Sequence, residues 1–210
     1  MCPDLLLVSD ILISFVSLAL VNHLVLVHML GLEAWAASPH GMRRSFIFGI
    51  CTAILLCLVT VCGWLVLRLA ALATLTTGQD TVTWLALPVF AVLAAVLVAP
   101  LQAGVTRLSP PDALVLKDAM PWAAVNSAVL GSALTAWQQL DSVFAAAGFA
   151  MASAITFVVF LMSFAAIRER VSTADVPVAF QGTPVLLLSA AIMTLAIMAF
   201  DGVTPTWVTP

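Results

Sequence analysis

FAAIRERVSTADVPVAFQGTPVLLLSAAIMTLAIMAFDG, residues 164–202, sets a knot of charge between two long apolar stretches. Arg168, Glu169, Arg170 and Asp175 stand close together, whereas residues 143–167 and 184–200 carry no charge at all. Hydrocarbon tolerates the flanks and penalises the cluster. The pattern therefore predicts a charged loop at one membrane face, joining two spanning helices.

The rest of the chain fits that solvent. Hydrophobic residues make up 63% of 210 and charged residues only 8%, against about 25% charged in soluble domains. Such a chain must use lipid as solvent over most of its perimeter, so it reads as an integral membrane protein. Its formal charge is −3, and it has no basic patch interleaved with aromatics, which excludes nucleic acid as a partner. The opening MCPDLLLVSD lacks the positive n-region and small-residue cleavage site of a secretory signal. The first apolar run is accordingly expected to persist as a helix.

A span needs about 20 apolar residues, and the runs that qualify fall near 5–30, 45–73, 82–106, 120–140, 143–167 and 184–201. Breakers and charges separate them: SPHGMRR, TTGQD, TRLSPPDALVLKD, Asp141, RERVSTADVPVAFQG and the tail DGVTPTWVTP. The fourth run is interrupted by Pro121, Asn126, Ser127, Gly131 and the Gln138–Gln139 pair. Backbone freed at such breaks is satisfied by neighbouring helices or lies along a cavity. Arg43, Arg44, Arg107, Lys117, Arg168 and Arg170 all follow odd-numbered runs, while Arg68 sits near the far end of run two. Six of the seven basic residues thus share one side, which the positive-inside rule makes cytoplasmic. Arg68 is expected to snorkel to the other interface, and both termini face outward.

The chain also echoes itself. Val21-Asn22-x-x-Val25-Leu26 returns as Val125-Asn126-x-x-Val129-Leu130, 104 residues later. With three spans per half, the second half enters from the opposite side, so the repeat is inverted. Interrupted helices in inverted repeats place functional sites near the midplane. The expected fold is an all-α integral membrane protein, one membrane domain over 1–210, with half-repeats about 5–106 and 120–201. Its six transmembrane helices form a 3+3 inverted repeat in which helices one and four are interrupted.

Three stretches carry a resemblance. LVNHLVLVHMLGL at 20–32 is similar to a first-helix motif that reads Leu-Val-Asn-Asn before a Leu-Gly-Leu-Cys turn. MPWAAVNSAVLG at 120–131 is similar to a fourth-helix motif, Leu-Pro-x-x-x-x-Asn-Cys-Ala-Val-Leu-Gly. IRERVSTADVPVAFQG at 167–182 nearly repeats the loop before the last helix. All three resemble the Rnf/Nqr family of membrane subunits from redox-driven ion pumps, most closely its A-type subunit. The resemblance implies a six-helix subunit of the bacterial inner membrane, paired with an oppositely oriented homologous subunit. It also implies an iron–sulfur cluster held between the two, and electron transfer coupled to Na⁺ or H⁺ movement. Each such subunit supplies two cysteines, one per motif.

Here those two positions are Glu33 and Ser127. Cluster irons take thiolates, and a hydroxyl or carboxylate is a harder ligand. Cys51, Cys57 and Cys62 belong to run two and Cys2 precedes run one, so none can be shifted into either motif. The expectation is no iron–sulfur cluster and no cofactor bound by this chain alone. Small apolar packing residues are the plainer role for these cysteines.

Glu33 becomes a candidate proton or cation carrier if the first helix breaks at membrane depth, and an interfacial residue if that helix simply ends at Gly31. Asn22, Asn126 and Ser127 join it as candidates for an ion path, with structural hydrogen bonding as the alternative. His23 and His28 lie about 140° apart around a helix, which argues against one shared metal. Arg168, Glu169, Arg170 and Asp175 form a loop-edge network, dock a soluble partner, or position the adjacent helix end. Gly148 and Ala152 form a small-x-x-x-small pair suited to close helix packing. No Gly-rich phosphate loop, G-x-S-x-G or H-E-x-x-H is present, so the chain alone carries no catalytic signature. Two further readings remain open: a small channel or carrier built on the same repeat, and a purely structural assembly protein.

Overall fold

The computed structural model describes residues 31, 38–39, 41–73, 79–108, 113–175, 177 and 180–198. The first apolar run with Asn22, the three histidines, Cys2 and Glu33 lie outside the described residues.

The described elements are helices, with no strand among them: α1 (Met42–Ala73), α2 (Gln79–Leu108), α3 (Ala113–Ala124), α4 (Ser127–Gln139), α5 (Val143–Ser172) and α6 (Thr183–Met198). Three stretches, Met42–Leu72, Trp84–Val105 and Val143–Ser172, are long and apolar enough to cross a membrane. At 1.5 Å per residue, α3 and α4 are about 18 and 20 Å long.

Two boundaries differ from the sequence expectation. α5 runs on through Ser172, so Arg168, Glu169 and Arg170 lie in its last turns and not in a loop. Ala, Ile, Arg and Glu are all strong or adequate helix formers, and arginines near a C-terminus complement the helix dipole. The charges therefore end the apolar run without ending the helix. Likewise α3 starts at Ala113, and Lys117 and Asp118 are helical and exposed.

α1 is the hub. It packs against α5, α4, α2 and α3, while α6 leans on α5. The core joins Phe48, Leu55, Leu56 and Val59 of α1 with Phe90 of α2, Leu116 and Met120 of α3, and Phe157 and Leu161 of α5, all 0–1% exposed. α2 instead shows Trp84, Leu85, Leu87, Val92 and Val96 outward, a face suited to lipid and far too apolar for water.

Short contacts fix the helix directions. Arg168 near the end of α5 reaches Ser38 and Pro39, just ahead of α1. Arg68 near the end of α1 meets Asp141, just ahead of α5. The two helices are antiparallel, and the ends of α2 and α3 meet through Gln102 and Lys117. Six basic residues consequently gather at one end of the bundle, with Arg68 at the other.

Close approach of helices depends on glycines other than the one singled out in the sequence. A Cβ on Gly63 would collide with the ring of Phe90, and one on Gly49 would lie 2.8 Å from Leu161 Cδ2. A Cβ on Gly148 would meet nothing within 4 Å among the described residues. Phe90 is fully buried and cannot swing aside cheaply. Gly63→Ala is expected to destabilise the fold by about 1–3 kcal/mol, the usual cost of overpacking. Gly148→Ala should be neutral or slightly stabilising through helix propensity. Thermal unfolding of the purified variants in detergent compares the two.

Candidate functional site at a broken helix

The break between α3 and α4 falls at Asn126 and not at the proline before it. Pro121 has no N–H, so the Lys117 carbonyl four residues back loses its helical donor. Gln102 Nε2 of α2 donates to that carbonyl at 3.2 Å instead. The helix survives Pro121 and stops shortly after it, at Ala124. Asn126 is extended at φ −62°, ψ 119°, and its Oδ1 accepts from the Ala128 N–H at 2.9 Å. An asparagine offers the backbone a local alternative to the helix and caps the new one. Its own carbonyl accepts from Val129 and Leu130 N–H at 3.0 and 3.2 Å.

Gly31 closes the other side. It is buried, has φ +91°, and donates its N–H to Ser127 Oγ at 2.8 Å. A Cβ there would lie 3.2–3.3 Å from Ala128 Cβ, Asn126 Oδ1 and Phe157 Cε2. Phe157 stands at the middle of the 30-residue α5, roughly 20 Å from either end. Gly31 thus meets the break between α3 and α4 level with the middle of α5.

Of the sequence candidates, the structure brings Asn126 and Ser127 together with Gly31. Asn126 is fully buried and Ser127 half-buried. Glu33, two residues beyond Gly31, and Asn22 lie outside the described residues. Thr60 and Ser132 extend the polar contacts between α1 and α4, with their hydroxyls 3.3 Å apart, and Ser132 also donates to Val129 O at 3.0 Å.

Chemically, the break sets the carbonyl end of α3 beside the N–H end of α4. Terminal carbonyls and amides have no partners within their own helices. Their dipoles favour a cation at the first and a lone-pair donor at the second. Asn126 Nδ2 has no hydrogen-bond partner among the described residues, and leaving such a buried donor unmade costs about 1–3 kcal/mol.

At the basic end, Arg168 donates to the carbonyls of Ser38 at 3.1 Å and Pro39 at 2.9 Å. Ser45 Oγ also donates to Pro39 O, at 2.8 Å. A cavity of about 360 Å³ adjoins Arg168, lined also by Ser172, Gln181 and Gly182. Glu169, Arg170 and Asp175 are exposed.

The opposite end holds a group that the sequence pattern did not single out as a cluster. Arg68 pairs with Asp141 at 3.1 Å and stacks over Trp64 and Trp137, with centroid distances of 5.0 and 5.7 Å. Trp64 Nε1 donates to Leu140 O at 3.0 Å. The available signal is the spacing of Trp64 and Arg68, four residues apart or one helical turn. Because Asp141 is fully exposed, the ion pair contributes little, and the arginine's aliphatic stem and rings act as an interfacial anchor. Asp141→Asn should leave the unfolding temperature within about a degree or two of wild type, and Trp64→Ala should lower it clearly.

The described cysteines are elsewhere and unbridged. Cys51 is buried in α1, and Cys57 Sγ lies 3.5 Å from Ala150 O. Among the described residues no group of three or more His, Cys, Asp or Glu is placed to hold a metal ion.

Fold and site together define a helical membrane protein with three helices long and apolar enough to cross a bilayer, packed around a break between two shorter ones. The Rnf-Nqr subunit family of membrane proteins matches residues 11–204, and the chain belongs to it. It is 34% identical over 201 residues to a protein of Edwardsiella ictaluri (strain 93-146) named as the A-type subunit of an ion-translocating oxidoreductase complex, covering 92% of this chain and 97% of that one. It is equally identical over 194 residues, with the same coverage, to proteins of that name from Yersinia enterocolitica and Yersinia pestis.

Proposed function

We propose that this chain is the A-type membrane subunit of an Rnf-type complex that couples electron transfer to Na⁺ or H⁺ translocation across the bacterial inner membrane. The observation that carries the reading is its 34% identity, over nearly the whole length of both chains, to proteins named for that subunit. In this reading the chain is a six-span 3+3 inverted repeat with both termini outside. It pairs with an oppositely oriented homologous subunit. Support for the repeat comes from the echo at 104 residues and from the seat of Gly31 against Ser127.

The chain departs from its family in one respect of consequence. The motif positions offer a carboxyl at Glu33 and a hydroxyl at Ser127, and the Ser127 oxygen already accepts the Gly31 N–H. Those residues do not fit thiolate ligation of an iron–sulfur cluster. This copy therefore binds none by itself, and electrons in its complex take a route that avoids these two positions. Its remaining part in transport falls to the break, where Asn126, Ser127 and the two half-helix ends meet.

The test is anaerobic purification of the chain with whatever co-isolates, followed by iron and acid-labile sulfide analysis and low-temperature EPR. Rnf-type subunits should co-isolate, with no cluster signal that depends on residue 127. A cluster that disappears in Ser127→Ala would overturn the ligation argument. Absence of any Rnf-type subunit would overturn the complex assignment and favour a free-standing channel or carrier.

A further inference from the structure

The amide of Asn126 is half used. Oδ1 receives the Ala128 N–H at 2.9 Å, while Nδ2, on a side chain 0% exposed, has no partner among the described residues. Flipping the amide would press NH₂ against that same N–H, so the cap fixes which half remains. The group left over is a donor, and it sits at the N-terminus of the 13-residue α4. The dipole end and the unpartnered N–H are independent features, and both ask for a ligand bearing lone pairs.

We infer that the break between α3 and α4 holds a water molecule, which accepts from Asn126 Nδ2, and that it does not bind a dehydrated Na⁺. A bare cation would find the carbonyl end of α3 on one side only, and would face an NH₂ group and the positive end of α4 on the other. An anion so far from either membrane face, beside Phe157 and Ala128, would lose its hydration without a counter-charge. Water incurs neither penalty. The last carbonyls of α3 have no donor within their own helix, and a water bridging from Nδ2 to one of them would have the two or more polar partners that buried waters have. The inference rests on the ion-coupling reading and narrows it: any ion crossing this point travels through bound water.

The chain contains only two asparagines, Asn22 and Asn126, so ¹⁵N-asparagine labelling yields two side-chain amide signals. Asn126→Asp, which keeps a capping oxygen, assigns them, and Asn22→Asp does so if that variant fails to fold. In the lipid-nanodisc complex, magnetisation should pass directly from water to the Asn126 NH₂. The signal should not change when gluconate replaces chloride or choline replaces Na⁺. A dry amide without transfer, or an amide shift that follows chloride or Na⁺, overturns the inference. Wild-type unfolding temperature should likewise ignore Na⁺, whereas Asn126→Asp should gain a Na⁺-dependent upward shift. A Na⁺-dependent shift in wild type that Asn126→Ala abolishes would identify a cation site instead. None of these readouts requires turnover or the other subunits to be Rnf-type, so failure here and failure of the complex assignment are separate results.

Discussion

Gly31→Ala is expected to cost about 2–5 kcal/mol, a large part of the roughly 5–15 kcal/mol by which folded proteins are stable. Two independent terms add. Holding a left-handed backbone costs a residue with a Cβ about 1–2 kcal/mol, and Gly31 has φ +91°. The new methyl would also sit 3.2–3.3 Å from Ala128, Asn126 and Phe157, and such overpacking costs about 1–3 kcal/mol. Phe157 is fully buried, and Asn126 is pinned by its cap, so neither can yield without spoiling something else. Ser127→Ala removes the acceptor of the Gly31 N–H and should cost about 1–3 kcal/mol, as an unmet buried donor does. The double variant should lose less than the sum, because both changes break the same contact. Urea or thermal unfolding of the four proteins in one detergent closes the cycle. Full additivity, or a Gly31→Ala protein as stable as wild type, would mean that the two broken segments do not depend on each other.

Much of this is legible in the chain, for a definite reason. Hydrocarbon imposes a length and a polarity on every crossing, so the bounds of α1, α2 and α5 follow roughly from where charges resume. Side choice follows from six basic residues. The fourth run is harder. Pro121, Asn126, Ser127, Gly131 and Gln138–Gln139 all read as interruptions, yet Pro121 and Gly131 lie within helices and only the Asn126–Ser127 pair marks the break between α3 and α4. Pro121 costs a single carbonyl, which Gln102 takes up, and Gly131 lies inside α4. Which interruption wins depends on a distant neighbour, Gln102, and on a side chain able to cap, and hydropathy reports neither. The glycines make the same point. Gly148 has the right spacing but its Cβ position meets nothing among the described residues, while Gly49 and Gly63 meet Leu161 and Phe90. Spacing tells which residues share a face, not what that face meets. Arg168 to Arg170 read as loop because polarity changes there, yet polarity at a membrane edge sets where lipid ends, not where backbone hydrogen bonds end.

Arg168→Ala should loosen the segment that enters α1. Its guanidinium holds the carbonyls of Ser38 and Pro39 together, and hydrogen bonds from a charged donor are worth about 1.5–3 kcal/mol each. Arg168 is only half-buried, so solvent screening reduces the pair to a local loss of about 2 kcal/mol. That corresponds to a roughly 30-fold fall in hydrogen-exchange protection over residues 38–45 if opening there is local. Lysine at 168 keeps the charge but lacks the planar fork that spans two acceptors, so it should recover part of the protection. Arg170→Ala and Glu169→Ala remove exposed groups and should leave exchange in this segment unchanged. The same comparison separates two roles for the charged cluster. If Arg168 served only to dock a soluble partner, Arg168→Ala would weaken that association while exchange at 38–45 stayed at the wild-type rate. If it positions the backbone, exchange rises in the isolated chain, with no partner present, and any loss of association is secondary. The second pattern is expected, because both guanidinium nitrogens that the structure shows bonded are engaged by this chain's own carbonyls.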